Sequence, residues 1–591
     1  MLTNSKTIQT NKFIKEPDLV ADFKKENIDF SKIEKARLSR EVIPEGLEPY
    51  TGTFGLAQKK HLLNRSLIAL SSKHMQELDK LTLKQAIDLI FTEEAFPPLP
   101  VNDYDYEITK EETEKQGHFY VPAGQVYVEA PEPNGSPWPR HQSFEAWMYK
   151  YMVEQKTSIH WRLLFFLHNL VPAANGSVKM MFQYYETLYK YAFKSYKDFI
   201  YQITLDPLML DYLNLQSSNR SHPDENYARE LQELFTVGKG PNSKYTESDV
   251  VEMARTLVGW RFTYESKNKQ GRIQSEFNMF NHDDQFKQFS SFYGNRRLEG
   301  IQGYEGYKEL GQLLDMIFAT DENGLYICRR LYQFFCGPLI DETTEKNVIQ
   351  PMAELYRKNN YSLIVPLKTL LGSAHFFNSL NYNSMIKSPM EFTLGFFKEF
   401  EYTIINYELA TDLPTKYTTE ISKDFYKYRN ITWNMSNIGI NFTNPPNVAG
   451  WPAYYQYPVY DLFWINSDTL AKRASFAYGT SHWGIYLGSG NTKGNIHMKI
   501  DWIAYIGKFK NPENFDLLLT EIEERLLGAP MSDQTKNKVK QMALGGFSGA
   551  YYTELYTAYI KNPIQDNRNT LDNRLQNLFS TIFQLAEFQL F

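Results

Sequence analysis

Nine residues of the segment DENYARELQELFTVG, which spans 224–238, contain Glu225, Arg229, Glu230 and Glu233. In a helix Asn226, Arg229, Glu230 and Glu233 fall at i, i+3, i+4 and i+7, so they share one face. Carboxylates beside a guanidinium suit two kinds of chemistry. They can bind a cation, or serve as acid and base if burial raises one pKa. The same spacing also describes a solvated face. Glu225–Arg229 and Arg229–Glu233 are i,i+4 ion pairs, each contributing only about 0.2–0.5 kcal/mol.

Two histidines extend the candidate set. His168 sits inside LLFFLHNLV, where a lone histidine reads most simply as a satisfied core residue. His282 is followed by Asp283 and Asp284 in a polar stretch. A histidine beside a carboxylate can bind metal or pass protons, or stay solvated. Motifs with established mechanics are missing. The chain has no GxxxxGK[ST], HExxH, GxSxG or EF-hand loop, and no GxGxxG after a strand.

Helices must position these residues. HLLNRSLIALSSKHMQELDKLTLKQAIDLIF has apolar residues at helical spacing, with Ser71-Ser72 and Thr82 as N-cap candidates. Residues 95–140 break the pattern, and HFYVPAGQVYVEA reads as a hairpin turning at Pro122-Ala123-Gly124. An excursion that long reads as a lid or an insertion. From 141 to 265 helices dominate. Thr246 with Asp249 three residues on resembles a capping box, and Gly259 ends that helix. A short strand is expected near Ser275–Phe280, a helix with Pro389 at its first position, a non-helical loop at 441–452, and three helices in the last ninety residues. The fold class is mainly α: a multi-helical globular core with a few short β-hairpins in long insertions. The expected organisation is an N-terminal arm (1–55), a helical core (56–476, with insertion 95–140) and a C-terminal helical extension (477–591).

Composition narrows the function classes. At 591 residues the chain is too long for one simple core. A net charge of −6 argues against nucleic acid as partner. Aromatics at 15% suit a packed aromatic core, or a surface that stacks against a carbohydrate or other polymer. Cys328 and Cys336, if on one helix, lie about 12 Å apart, beyond disulfide reach, and give no cysteine metal site. No run of 18 apolar residues exists, so no membrane span is expected. The first thirty residues lack a secretory apolar stretch, which by sequence alone points to the cytoplasm.

Several strings occur in one order: HLLNRS, RLLFFLHNL, LDPLMLDYLNLQSSNRSHPDENYARELQELFTVG, YTESDVVEMARTLVGW, ICRRLYQFFCG, IKSPMEF, PPNVAGWP and WINSDTLAKR. This chain thereby resembles the bacterial family catalogued as domain of unknown function 1800, over residues 56–476 and the AEFQLF end. The resemblance implies a mainly helical protein without an established activity. It also implies export to the periplasm or envelope, and a partner from the family catalogued as domain of unknown function 1501. The family's polar positions carry over to Asn219, Arg220, Glu225, Asn226, Arg229, Glu230, Glu233, Trp260, His282 and Asp283. Asp224 stands where the family commonly has Asn, and Phe235 where it has His. Leu170 replaces a second histidine near His168. With both histidines present, a histidine–carboxylate metal site would follow. Without them a carboxylate-only site, a structural polar network and a degenerate paralogue stay open. Two functions are therefore carried forward. One is a structural or accessory binding protein around a polar Glu/Arg/Asn network. The other is a hydrolase with Glu230 or Glu233 as base, assisted by His168 or His282 and possibly by a metal; no cofactor is specified.

Overall fold

Caps written in the sequence set where many helices begin. Thr246 accepts the Asp249 N–H while Asp249 reaches back to the Thr246 N–H, the reciprocal box that starts the helix Glu247–Leu257. Thr82 and Gln85 do the same for Leu83–Ile90. Ser388 caps Pro389–Glu399, with Pro389 in the first turn, where its missing N–H costs nothing. The computed structural model describes residues 30–38, 41–103, 110–115, 117, 119–132, 138–265, 269–404, 425, 427–429, 431–487 and 496–591. It is mainly helical, with a few short strands in small sheets.

The helix His160–Leu170 is buried on every side, as a run of LLFFL requires. Val178–Tyr191 and Asp321–Phe335 pack against it, Trp138–Val153 packs in turn on Val178–Tyr191, and this first hydrophobic cluster holds most of the described core. A second cluster joins Phe392, Phe396 and Phe400 to Trp502 and the C-terminal helices. Its residues thus come from both sides of position 477. Cys328 and Cys336 are buried and free. Among the described residues, no helix is long and apolar enough to cross a membrane.

The strands are brief. Trp260–Tyr264 pairs antiparallel with Ile273–Phe277, in the register Trp260↔Phe277 and Tyr264↔Ile273. The strand expected near Ser275–Phe280 thus begins two residues earlier. Ile496–Ile500 lies between Tyr402–Ile404 and Ile485–Leu487 in a three-stranded sheet.

Two expectations are corrected. The segment around Pro122-Ala123-Gly124 turns, but among the described residues its arms do not pair with each other. Asn102 intervenes: its N–H donates to the Gln125 carbonyl, its own carbonyl accepts the Gly124 N–H, both at 2.8 Å, and Val126 bridges Val101 instead. Residues 116 and 118 of this segment lie outside the described residues. The C-terminal ninety residues form six helices rather than three. Breaks at Asn511-Pro512, Gly528, Gly545-Gly546 and Asn562-Pro563 divide what periodicity alone would merge.

Trp502 anchors the second cluster. Its ring stacks on Phe579 (4.2 Å between centroids), meets Phe400 edge-on (5.4 Å), and its indole N–H donates to the Ser481 carbonyl (2.9 Å). Trp502→Ala is expected to cost about 3–5 kcal/mol in urea unfolding. A loss below about 1 kcal/mol would mean that the cluster closes without this ring.

Candidate functional site

The polar segment is one helix of two pitches. Asp224 caps it by accepting the Asn226 N–H (2.8 Å). The α-helix Glu225–Glu230 then widens into a π-helical turn, Leu231–Thr236. There the Val237 N–H reaches the Gln232 carbonyl five residues back (2.9 Å). Gly238 closes the turn at φ +82°, and a Cβ there would lie 2.4 Å from the Tyr326 ring. Tyr227, Leu231 and Phe235 face the core.

Arg229 is the hub of the polar face. Its guanidinium donates to Glu225 (3.0 Å) and to both oxygens of Glu247 (3.0 and 2.8 Å), and lies 3.7 Å from Glu233. Glu233 is nearly buried and also pairs with Lys239. Glu230 is half-buried and engaged; burial first, and then its charge, raise the Tyr212 phenol. Spacing alone gives the pairs with Glu225 and Glu233. Glu247, which supplies the strongest contacts, comes from the next helix and was not foreseen.

His282 belongs to a second group. Its ring is buried, with Nδ1 3.0 Å from the Val258 carbonyl and Nε2 3.1 Å from Glu309 Oε1. Lys287, equally buried, donates to Glu309 Oε2 (2.5 Å) and to the Asp283 carbonyl. Burial raises the Glu309 carboxyl, but hydrogen bonds from His282 and Lys287 outweigh it and hold the group below its ordinary value. Asp283 forms a two-pronged pair with Arg255 (2.7 and 3.3 Å). Trp260 packs edge-on against Phe277 (5.1 Å), which in turn packs against His282 (5.1 Å). The Arg220 N–H donates to the Asn281 carbonyl (2.8 Å), and Asn219 Oδ1 accepts the Ser221 N–H (3.0 Å), so the 219–222 turn abuts this loop.

The helix Glu247–Leu257 carries both groups. Glu247 in its first turn meets Arg229, and Arg255 in its last turn meets Asp283. Eight residues separate those two anchors, about 12 Å along the axis. Glu233 and His282 are therefore held at opposite ends of one helix and share no contact.

His168 belongs to neither group. Its Nε2–H donates to the Phe442 carbonyl (2.8 Å), and Nδ1 lies 2.7 Å from the Tyr184 hydroxyl. Tyr185, Phe442 and Trp451 box the ring. Burial lowers its pKa to about 4, so the ring is neutral near pH 7. Its contacts are with core aromatics, and it touches neither Glu230 nor Glu233. Among the described residues no group of three or more His, Cys, Asp or Glu is placed to hold a metal ion.

A different place has the shape of a binding site. A cleft of about 820 Å³ lies between residues 93–96 and the stretch 189–202. Phe96, Tyr189, Tyr191 and Tyr201 line it, together with Glu93, Glu94 and Asp198. His160 builds its back wall: Nδ1 accepts the Glu94 N–H (3.1 Å), Nε2–H donates to the Tyr189 carbonyl (2.8 Å), and the ring stacks on Tyr189 (3.7 Å). These two bonds define one neutral tautomer, and burial lowers the pKa to about 4. Phe96 is wedged between Tyr189 (5.3 Å) and Phe182 (5.9 Å). The sequence signal, AFPP after an amphipathic helix, marked a chain break but not a cleft.

A family model described as "Protein of unknown function (DUF1800)" matches residues 61–590. No curated protein and no solved structure matches the chain.

Two measurements check the chemistry of these groups. Lys287→Met strips Glu309 of a buried cation and is expected to cost about 3–5 kcal/mol in urea at pH 7; an unchanged midpoint would show that the cluster carries no stability. His160 and His168 both have folded pKa values near 4, below the ordinary 6.5. Their stabilisation is complete above pH 6.5 and is lost as pH falls towards 4, because the unfolded chain then binds more protons. The melting temperature should decline across that window, and less steeply in His168→Gln. Equal slopes for both proteins would contradict the assignment.

Proposed function

This chain belongs to the DUF1800 family, whose function is not established, and from that premise we propose that it is an accessory binding protein for a saccharide chain. The observation that carries the reading is the aromatic-walled cleft at 93–96 and 189–202. Tyr191 and Tyr201 are half-buried, so ring surface faces the cleft while the rest of each side chain is anchored. Flat aromatic surface suits the C–H face of a sugar ring, and the carboxylates of Glu93 and Asp198 suit its hydroxyls. His160 and Phe96 fix both walls before any ligand arrives, which lowers the ordering cost of binding. On this reading the Arg229 and Glu309 groups are structural. Their charges serve to fix helix packing, and the departures at Phe235 and Leu170 are consistent with that role.

A second reading has one observation in its favour. Glu94 lines the same cleft, burial raises its carboxyl above the ordinary glutamate value, and its Oε1 is buried without a hydrogen-bond partner. A carboxylic acid so poised beside a sugar-binding wall suits a general acid in glycoside hydrolysis.

One experiment separates the two. Affinity electrophoresis through soluble neutral and anionic polysaccharides is expected to retard the full-length protein. Tyr191→Ala with Tyr201→Ala should weaken retardation about tenfold, a loss of about 1.4 kcal/mol. Migration unaffected by every polysaccharide, or equal for wild type and variant, would sink the binding reading. Release of reducing ends that Glu94→Gln abolishes without loss of binding would assign the enzyme reading instead.

A further inference from the structure

Where the two hydrophobic clusters meet lie two adjoining spaces, distinct from the cleft at 93–96 and 189–202. The inner one, about 80 Å³, has room for several waters or one small ion. The outer one, about 740 Å³, opens beside it, and Ser71, Ser72, Glu399 and Arg525 line both. Together their walls carry seven cationic side chains and four carboxylates, in a chain whose net charge is −6. The cations are Lys60 and Lys387 inside, Arg525 at the junction, and Lys73, Lys398, Lys427 and Lys508 outside.

The inner carboxylates are already committed. Glu399 accepts from Arg525 Nε and the Tyr505 hydroxyl (both 2.7 Å) on one oxygen, and from the Ser72 N–H (2.7 Å) on the other. Glu391 pairs with the buried Arg162 and accepts from Ser388. The two lysines have no such partner. Lys387 Nζ donates to the Phe588 carbonyl (2.8 Å), and Lys60 Nζ to the Leu527 carbonyl (2.9 Å) and, at 3.5 Å, that of Glu523. Among the described residues neither ammonium has a carboxylate within ion-pair distance. Each carries three N–H donors, so both lysines have donors left over. Glu523 and Glu524 offset part of the Lys60 charge and the Phe588 ring lies 4.5 Å from Lys387 Nζ, but two ammoniums with unused donors beside one half-enclosed space suit an anion that takes up both.

The geometry points to an oxyanion site: Lys60 and Lys387 grip a phosphate group in the inner cavity, and Arg525 guards the passage to the basic outer cleft. Burial and the nearby cations Lys60 and Arg473 hold Lys387 down to about 7, and burial holds Lys60 to about 8 against the opposing charges of Glu524 and Glu523. The phosphate can be free or belong to a phosphate monoester whose body occupies the outer cleft, where Phe397, Tyr402 and Tyr428 add ring surface. Because Lys60 comes from the helix Leu56–Ser66 and bonds the Leu527 carbonyl beyond the helix Phe515–Leu526, the anion would also fasten the C-terminal helices to the main core.

The test uses the full-length protein with inorganic phosphate, with phenyl phosphate, and with chloride at matched ionic strength. Phosphate is expected to raise the melting temperature saturably. It should also slow acetylation of Lys60 and Lys387 by N-hydroxysuccinimidyl acetate, read by peptide mass spectrometry, roughly tenfold at about ten times Kd. Lys387→Met and Lys60→Met should each remove the saturable shift. Tighter binding of phenyl phosphate assigns an organic phosphate; equal binding assigns free phosphate. A shift matched by chloride, or acetylation of both lysines unchanged by phosphate in the wild type, overturns the site even if the variants do not fold.

Discussion

A guanidinium with no exposure to water has to be neutralised where it stands, and Arg162 in the middle of the most buried helix is in that position. Glu391 pairs with it, and the rings of Phe334 (4.7 Å) and Phe591 (5.6 Å) cover it. Glu391 lies on the helix Pro389–Glu399, whose Phe392 and Phe396 belong to the second hydrophobic cluster. One ion pair thereby fixes how the two clusters meet. Ser388 both caps that helix and donates to Glu391, so local capping and long-range charge pairing are set by the same residue. Replacing such a pair with apolar residues can be neutral, but removing either half alone leaves an uncompensated charge.

Other charges of the interior are met by a carboxylate in one place and by neutral acceptors alone in another. Glu309 is shared between Lys287 and His282 and ties the 280s loop to the helix Glu309–Phe318. Arg473, almost fully buried, donates to Gln589 (3.0 Å) and the Lys387 carbonyl (2.8 Å), and burial pulls its pKa down to about 9. Arg229, by contrast, sits near the surface among Glu225, Glu233 and Glu247, where water screens each pair and the contribution is small. The Arg229 group is thus the less costly to disturb, and Glu309 and Lys287, which no sequence motif marks, lie deeper.

Local signals in the sequence were read well because their physics is local. Thr246 with Asp249, Ser388 before Pro389, and the all-apolar LLFFL around His168 each depend on a few neighbours. The ordered motifs likewise identified the family that the match over 61–590 establishes. Partners from afar were not legible. Glu309 opens ELGQLLDMIF, where a charged residue at a helix start reads as surface, and Lys287 sits in a polar loop. Only their meeting across 22 residues makes both of them core. His160 was hidden for the same reason, since its role depends on Glu94, 66 positions earlier. The hairpin around Gly124 failed because Asn102 competed for the turn's backbone bonds.

The π turn at Leu231–Thr236 has a consequence for how this chain tolerates changes of length. A π turn holds one residue more than the α-helical ladder needs, and it persists because packing on both sides fits the wider turn. Thr236 contributes by bonding the Leu231 carbonyl, and Tyr293 by donating to Gln232 (2.8 Å). Deleting a single residue from this stretch would remove that surplus and let the ladder close as ordinary α-helix, with what flanks it kept close to its present phase. Tyr227 before the turn would keep its place in the core, and Gly238 after it would stay near the Tyr326 ring. A regular α-helix has no such reserve and would rotate by about 100° for each residue lost, so this turn is where the helix can give up a residue at the least cost to its register.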